Sequence, residues 1–294
     1  MPFHSRAGRP RVPRRSTLAF TAAVGLLPCS APLWAGTTFD VIGPREYELP
    51  VDFKPFNVFV QYATYQNTER RYDNDGQRGE GSGVESITGL SKYVRFWTPD
   101  FNRRIGLAWE VIVPEVSLRD RSAAKAGDRQ HSGIGDPMTG FALWYKPGAG
   151  STLGLQSFVQ MPVGSDEVSD TNWKNLTSLF WDLRLPAKLG WTADAGFVYQ
   201  SRRTSDRVQP GMSWHTNQRF AWQASALLEP FIAIDAEYSD GRDGQPDGWV
   251  VDAGSGLMFH TFDNQSISVR YATSLGGKNH DVNNSANLKY AYVW

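Results

Sequence analysis

Short segments in which apolar and polar residues alternate recur along this 294-residue chain, and the links between them alternate in length. Period-2 alternation is the signature of an extended strand with one face in hydrocarbon or core and the other in water. Such segments fall at about 56–66, 86–97, 103–118, 133–146, 151–162, 174–186, 190–202, 213–228, 231–239, 248–261, 265–274 and 286–294, roughly twelve in all. Long polar links lie near 67–85, 119–132, 163–173, 203–212, 240–247 and 275–285. Short ones lie between them, at Thr98 to Asn102, Pro147 to Gly150, Ala187 to Leu189, Glu229-Pro230 and Phe262 to Asn264. A soluble sandwich has no reason to sort its loops by parity. An up-and-down membrane barrel does, with short periplasmic turns and long outside loops. The expected fold is therefore all-β, an antiparallel up-and-down transmembrane barrel of about 12 strands, outer-membrane type.

The ends of the chain agree with that reading. Residues 1–35 carry Arg6, Arg9, Arg11, Arg14 and Arg15 without one acid, then an apolar run from Leu18 to Leu27 and a small residue at Ala35, the pattern of a signal peptide for general secretion. Residues 36–55, broken by Pro44, Pro50 and Pro55, form an N-terminal arm that lies in the periplasm or tucks into a lumen. The barrel itself spans 56–294. At its far end Leu288, Tyr290, Tyr292 and Trp294 share one strand face, and Tyr290, Tyr292 and Trp294 are read as the aromatic signal by which assembly machinery recognises an outer-membrane barrel.

Composition excludes several classes. The only cysteine, Cys29, falls in the leader, so the mature chain has no disulfide and no thiolate metal site. Loss of the leader removes five arginines and moves the formal charge from 0 to −5, which argues against nucleic acid as a partner. No apolar run after residue 35 approaches the length of a membrane helix, a test that barrels escape because only alternate residues touch lipid.

With the greasy face outward, the inward set is Arg95, Glu110, Asp182, Arg184, Asp194, Arg219, Asp235, Glu237, Asp252, Arg270 and Lys289. These residues line a solute path or fill the interior with a charged network. Trp109, Tyr145, Trp181, Trp191, Phe197, Tyr199, Trp222, Tyr238, Trp249, Phe259 and Tyr271 then face lipid, many near strand ends where interfacial girdles belong. The expected partners are outer-membrane lipid, the assembly machinery and a small hydrophobic solute.

At Gly133-Ile134-Gly135-Asp136, ahead of the strand Pro137 to Tyr145, the sequence resembles the phenol meta-degradation family of outer-membrane proteins. Val111-Ile112-Val113-Pro114-Glu115-Val116 and Phe158-Val159-Gln160-Met161-Pro162-Val163-Gly164 look like segments of the same family. The resemblance implies a transporter-like outer-membrane channel linked with uptake of aromatic or other hydrophobic compounds. In physical terms Gly133 and Gly135 permit close backbone approach and Asp136 can cap a turn.

The alternative is a closed barrel acting as a lipid hydrolase, or as a surface-binding scaffold through its long loops. Ser213 and His215 share a strand face, but two residues apart on one strand are no positioned triad. There is no Gly-x-Ser-x-Gly, no His-Glu-x-x-His and no phosphate-binding loop, so neither an enzyme nor a cofactor is expected. The loop Asp240 to Gly248 has an opening like a calcium loop but lacks the distal glutamate, and no metal is expected there.

Overall fold

The computed structural model describes residues 41–48, 54–121 and 129–294. The expected leader at 1–35, and residues 36–40 and 49–53 of the arm, lie outside the described residues. In chain order the strands are β1 (Phe56–Asn67), β2 (Arg70–Tyr72), β3 (Arg78–Glu80), β4 (Val84–Trp97), β5 (Ile105–Asp120), β6 (Arg129–Ile134), β7 (Met138–Gly148), β8 (Ser151–Gln160), β9 (Lys174–Leu185), β10 (Leu189–Gln200), β11 (Ser213–Trp222), β12 (Leu228–Ser239), β13 (Gly248–Phe262), β14 (Gln265–Lys278) and β15 (Asn284–Val293).

Each wall strand pairs antiparallel with its chain neighbours, and β1 pairs with both β4 and β15, so the ring closes without an edge. Closure matters because an unpaired edge cannot be tolerated in hydrocarbon. The strands β6 and β7 both pair with β5, one on 115–120 and the other on 105–112. They form a single stave interrupted at Gly135-Asp136-Pro137, which makes twelve staves in all. The strands β2 and β3 form a separate hairpin that reaches across to the link after β14, where Arg71 pairs with Asp281 at 3.0 Å.

Two links differ from the sequence expectation. The turn expected at Glu229-Pro230 lies at 223–227, because the Ser225 hydroxyl accepts from the backbone N–H groups of Leu227 and Leu228 and tightens the chain there. Pro230 is accommodated in β12 because the β11 ladder ends at Ala221 opposite Phe231, where a missing N–H costs nothing. The link expected at 275–285 shortens to 279–283, since β14 runs on through a register shift that lets Gly276 and Gly277 pair with Val251 and Val250.

The outside is apolar. Phe141, Leu143, Leu155, Leu179, Ile232, Ile234, Val269 and Leu288 are exposed, and Trp222, Tyr199, Tyr238, Trp249, Tyr271 and Trp294 stand out with them. A belt of this extent is inconsistent with a water-exposed surface and belongs in hydrocarbon. Neighbouring rings support one another, as in Trp191 stacked 12° from parallel on Phe220 and Tyr292 stacked 16° from parallel on Trp294. Trp294 extends the last ladder, its N–H and C=O exchanging hydrogen bonds with Asn57.

Candidate functional site

The interior combines apolar clusters with buried charged groups. Inward positions on β1, β4, β5 and β7 to β10 supply one buried apolar cluster: Val60, Tyr62, Leu90, Ile112, Met138, Phe158 and Leu176 with Val198. A second cluster joins Val94, Phe96, Ala108, Ala142, Trp144 and Phe180. Its rings are in contact: Phe56 stacks on Phe96 at 4.7 Å, Phe96 meets Trp144 at 4.9 Å, and Trp144 meets Phe180 at 5.0 Å. Contacts of this kind are worth about 0.5–1.5 kcal/mol each beyond area burial.

Most of the buried charge lies on β9 to β15, with Lys92 and Glu110 on β4 and β5. Asp235 accepts from Arg219 at 2.6 Å and from Arg270 at 2.7 Å, and all three side chains are buried. Asp252 accepts from Ser274 and Asn283, and Asn283 accepts from Gln66 of β1. Asp194 accepts from Asn217 at 2.7 Å. Ser239 donates to Glu237 at 3.4 Å. The contacts of Asp235 with Arg219, Asp252 with Ser274 and Asp194 with Asn217 tie neighbouring strands and fix their register.

Residues 41–48 lie inside the ring. The Ile42 carbonyl accepts from Arg219, Arg45 pairs with Glu229 at 2.8 Å, Glu46 accepts from Tyr62 and pairs with Lys289, and Glu48 pairs with Arg184. The backbone N–H of Arg45 donates to Thr192, which donates in turn to Asp182 at 2.6 Å. These partners sit on β1 and β15 on one side and on β9 to β12 on the other. The segment therefore spans the lumen.

The lumenal candidates read from the sequence are thus placed as follows. Asp182, Arg184, Asp194, Arg219, Asp235, Glu237, Asp252, Arg270 and Lys289 face inward, and Glu110 does so paired with Lys92 at 2.7 Å. Arg95 does not. It is exposed on the outer face, donating to Asn57 at 3.0 Å, while its neighbours Val94 and Phe96 pack inside. The cause is that the greasy faces of β1 and β4 point into the lumen, so the polar alternates Asn57, Gln61, Ser91 and Arg95 point out.

What sequence reasoning missed is the pair of apolar clusters inside the barrel and the segment that meets them. A signal existed in Phe141-Ala142-Leu143-Trp144-Tyr145, which is apolar on both faces, as strands buried on two sides are. Arg45-Glu46-Tyr47-Glu48 is likewise too charged and too regular in sign for an idle spacer.

Ser213 and His215 also face inward, but Ser213 is hydrogen-bonded to Ser239 at 2.8 Å and His215 lies 3.7 Å from Asp194. Among the described residues no three His, Cys, Asp or Glu side chains converge as a metal site.

The Gly133-Ile134-Gly135-Asp136 turn anchors the outside loop 161–173. Asp136 is buried and accepts from Gly164 N at 2.9 Å, Ser169 Oγ at 2.8 Å and Asp170 N at 2.9 Å. The loop comes so close that a Cβ on Gly164 would lie 2.6 Å from the Gly135 carbonyl carbon. Replacing Asp136 with alanine is expected to free this loop at a cost of about 1–3 kcal/mol, with the loss of charged hydrogen bonds. Limited proteolysis of the folded barrel will show it as rapid nicking within 161–173; a wild-type cleavage rate counts against the anchor.

With this geometry in place, comparison with known proteins is decisive at one level. A family model described as "Putative MetA-pathway of phenol degradation" matches residues 68–290. The chain belongs to this family. No curated protein sequence matches it significantly. Among solved structures the barrel is similar to an outer membrane channel from Pseudomonas putida F1, with 16% identity, a TM-score of 0.73, and coverage of 86% of this chain and 100% of that one. It is also similar to the beta domain of the Bordetella autotransporter BrkA, with 13% identity, a TM-score of 0.51, and coverage of 82% and 100%. At such identities the likeness is one of fold: a closed barrel of the kind found in the outer membrane of Gram-negative bacteria.

Proposed function

We propose that this member of the family is an outer-membrane channel through which small apolar or aromatic molecules enter by passive or facilitated diffusion, without catalysis. One observation carries the reading: the inner face of the barrel holds two clusters of buried apolar and aromatic side chains beside its charged groups. A water-filled pore for polar solutes has no use for Phe96, Trp144, Phe158 and Phe180 on its inside. An apolar solute does, because the lipopolysaccharide leaflet that slows it outside is replaced by a surface it can wet. The described function of the family, phenol degradation, agrees in chemistry. The Pseudomonas putida relative is itself an outer membrane channel.

In this proposal residues 1–35 direct export, Tyr290, Tyr292 and Trp294 address the assembly machinery, and the exterior belt contacts lipid. The inward ion pairs hold the staves in register.

Flux tests the reading. In vesicles with a lipopolysaccharide outer leaflet, the purified barrel is expected to raise entry of a small aromatic such as toluene or phenol several-fold more than entry of a pentose. Aromatic entry equal to that of protein-free vesicles would refute it.

A further inference from the structure

The segment 41–48 brings one aromatic side chain to the lumen, Tyr47, and it is buried there. Its ring stacks on Phe180 with centroids 4.3 Å apart and planes 18° from parallel. Its hydroxyl donates to Asp194 Oδ2 at 2.7 Å. The barrel wall, and not the segment, builds this socket. Phe180 and Asp194 are register partners on β9 and β10, so the stacking face and the acceptor are fixed side by side. Phe180 lies flat over Gly154, where a Cβ would fall 2.1 Å from its Cζ. Trp144, with Gly106 and Gly154 as its register partners, closes a further side 5.0 Å from Phe180. Its buried indole Nε1 has no hydrogen-bond partner among the described residues.

A flat aromatic slot, a carboxylate that accepts from a ring hydroxyl and a spare N–H nearby make up a recognition site for one chemical group. We propose that the socket of Phe180, Trp144 and Asp194 is a binding site for the phenol ring of a solute, held in this structure by the chain's own phenol, Tyr47. A phenolic solute reproduces both contacts that Tyr47 makes and so competes with it. Toluene offers only the ring and leaves Asp194 one donor short. Benzoate presents acceptor oxygens where Asp194 needs a donor. Phenols are therefore preferred, and their binding releases 41–48 from the wall, leaving it held by its ion pairs. The inference depends on the channel reading only for the source of the ligand.

Binding is measured on the whole barrel in detergent micelles, where no flux is needed. With Cys29 changed to Ser, a Gly43→Cys variant places a buried thiol on the segment, in ordinary contact with Ser268 and Lys289. Added p-cresol is expected to accelerate maleimide labelling of this thiol by about tenfold, the worth of one hydrogen bond to a charged acceptor, with toluene and benzoate far weaker. No acceleration by p-cresol, or equal acceleration by toluene, overturns the proposal. Calorimetry on Tyr47→Ala gives a second reading: p-cresol should bind about tenfold more tightly than toluene, and adding Asp194→Leu should abolish the difference. Absence of p-cresol binding to Tyr47→Ala, or a preference that survives Asp194→Leu, also overturns it. A channel that proves impermeable would leave these binding results standing.

Discussion

Changing Asp235 to alanine is expected to lower the unfolding free energy by about 3–5 kcal/mol, the cost of removing one partner from a buried ionic group. Asp235 is the shared acceptor of Arg219 and Arg270, at 2.6 and 2.7 Å, and none of the three side chains is appreciably exposed. Its loss leaves two buried guanidiniums competing for the acceptors that remain, among them the Ile42 and Gln218 carbonyls that Arg219 already holds. Asp235→Asn should cost less, since an amide oxygen still accepts from one arginine. A triple variant with apolar residues at 219, 235 and 270 should regain much of the stability, because the penalty is an orphaned charge and not a lost attraction. Urea titration of the folded, heat-modifiable band checks the series. A single variant as stable as wild type would mean that water reaches the triad.

Removal of residues 41–48 should have the largest effect on permeation. The ring is built entirely from β1, β4 to β15 and their links, so the deletion is expected to leave assembly intact. The lumen between Lys289 and Arg184 is then open, and single-channel conductance should rise several-fold. A gentler variant, Arg45→Ser with Glu46→Gln and Glu48→Gln, keeps the chain but removes its ion pairs to Glu229, Lys289 and Arg184. Charged hydrogen bonds of this kind contribute about 1.5–3 kcal/mol each, so the triple variant should convert a steady low conductance into frequent openings. Unchanged conductance in the deletion variant would show that 41–48 does not limit the passage.

Much of the barrel was legible because the features that define it are local. Alternation sets each stave, and loop parity sets the up-and-down order, so Trp191, Phe197 and Tyr199 could be placed outside and Asp194 inside from β10 alone. The interior was harder to read for a physical reason. A membrane barrel makes the outer face apolar, but β1 and β4 turn apolar side chains inward as well, and the alternation then no longer says which face is which. Arg95 was misassigned on this account: Val58, Val60, Val94 and Phe96 obey the period but face inward. The socket lay beyond sequence reasoning because Tyr47, Trp144, Phe180 and Asp194 come from four separate segments whose registers only the closed ring brings together. Asp136 was recognised as a turn residue, yet its grip on 161–173 depends on a loop that begins 25 residues later.

The way 41–48 is enclosed also constrains how the molecule is made. The first and last staves meet along ten register pairs, from Val58 with Val293 to Asn67 with Asn284, and this seam completes the ring. A segment held by side chains on both flanks of that seam, Tyr62 of β1 and Lys289 of β15, gains its full set of contacts only once the two have joined. Until then the ring is an open sheet, and the segment can settle against its concave side without threading. The segment is thus an occupant of the finished ring, and its complete set of contacts is a consequence of closure and not its cause.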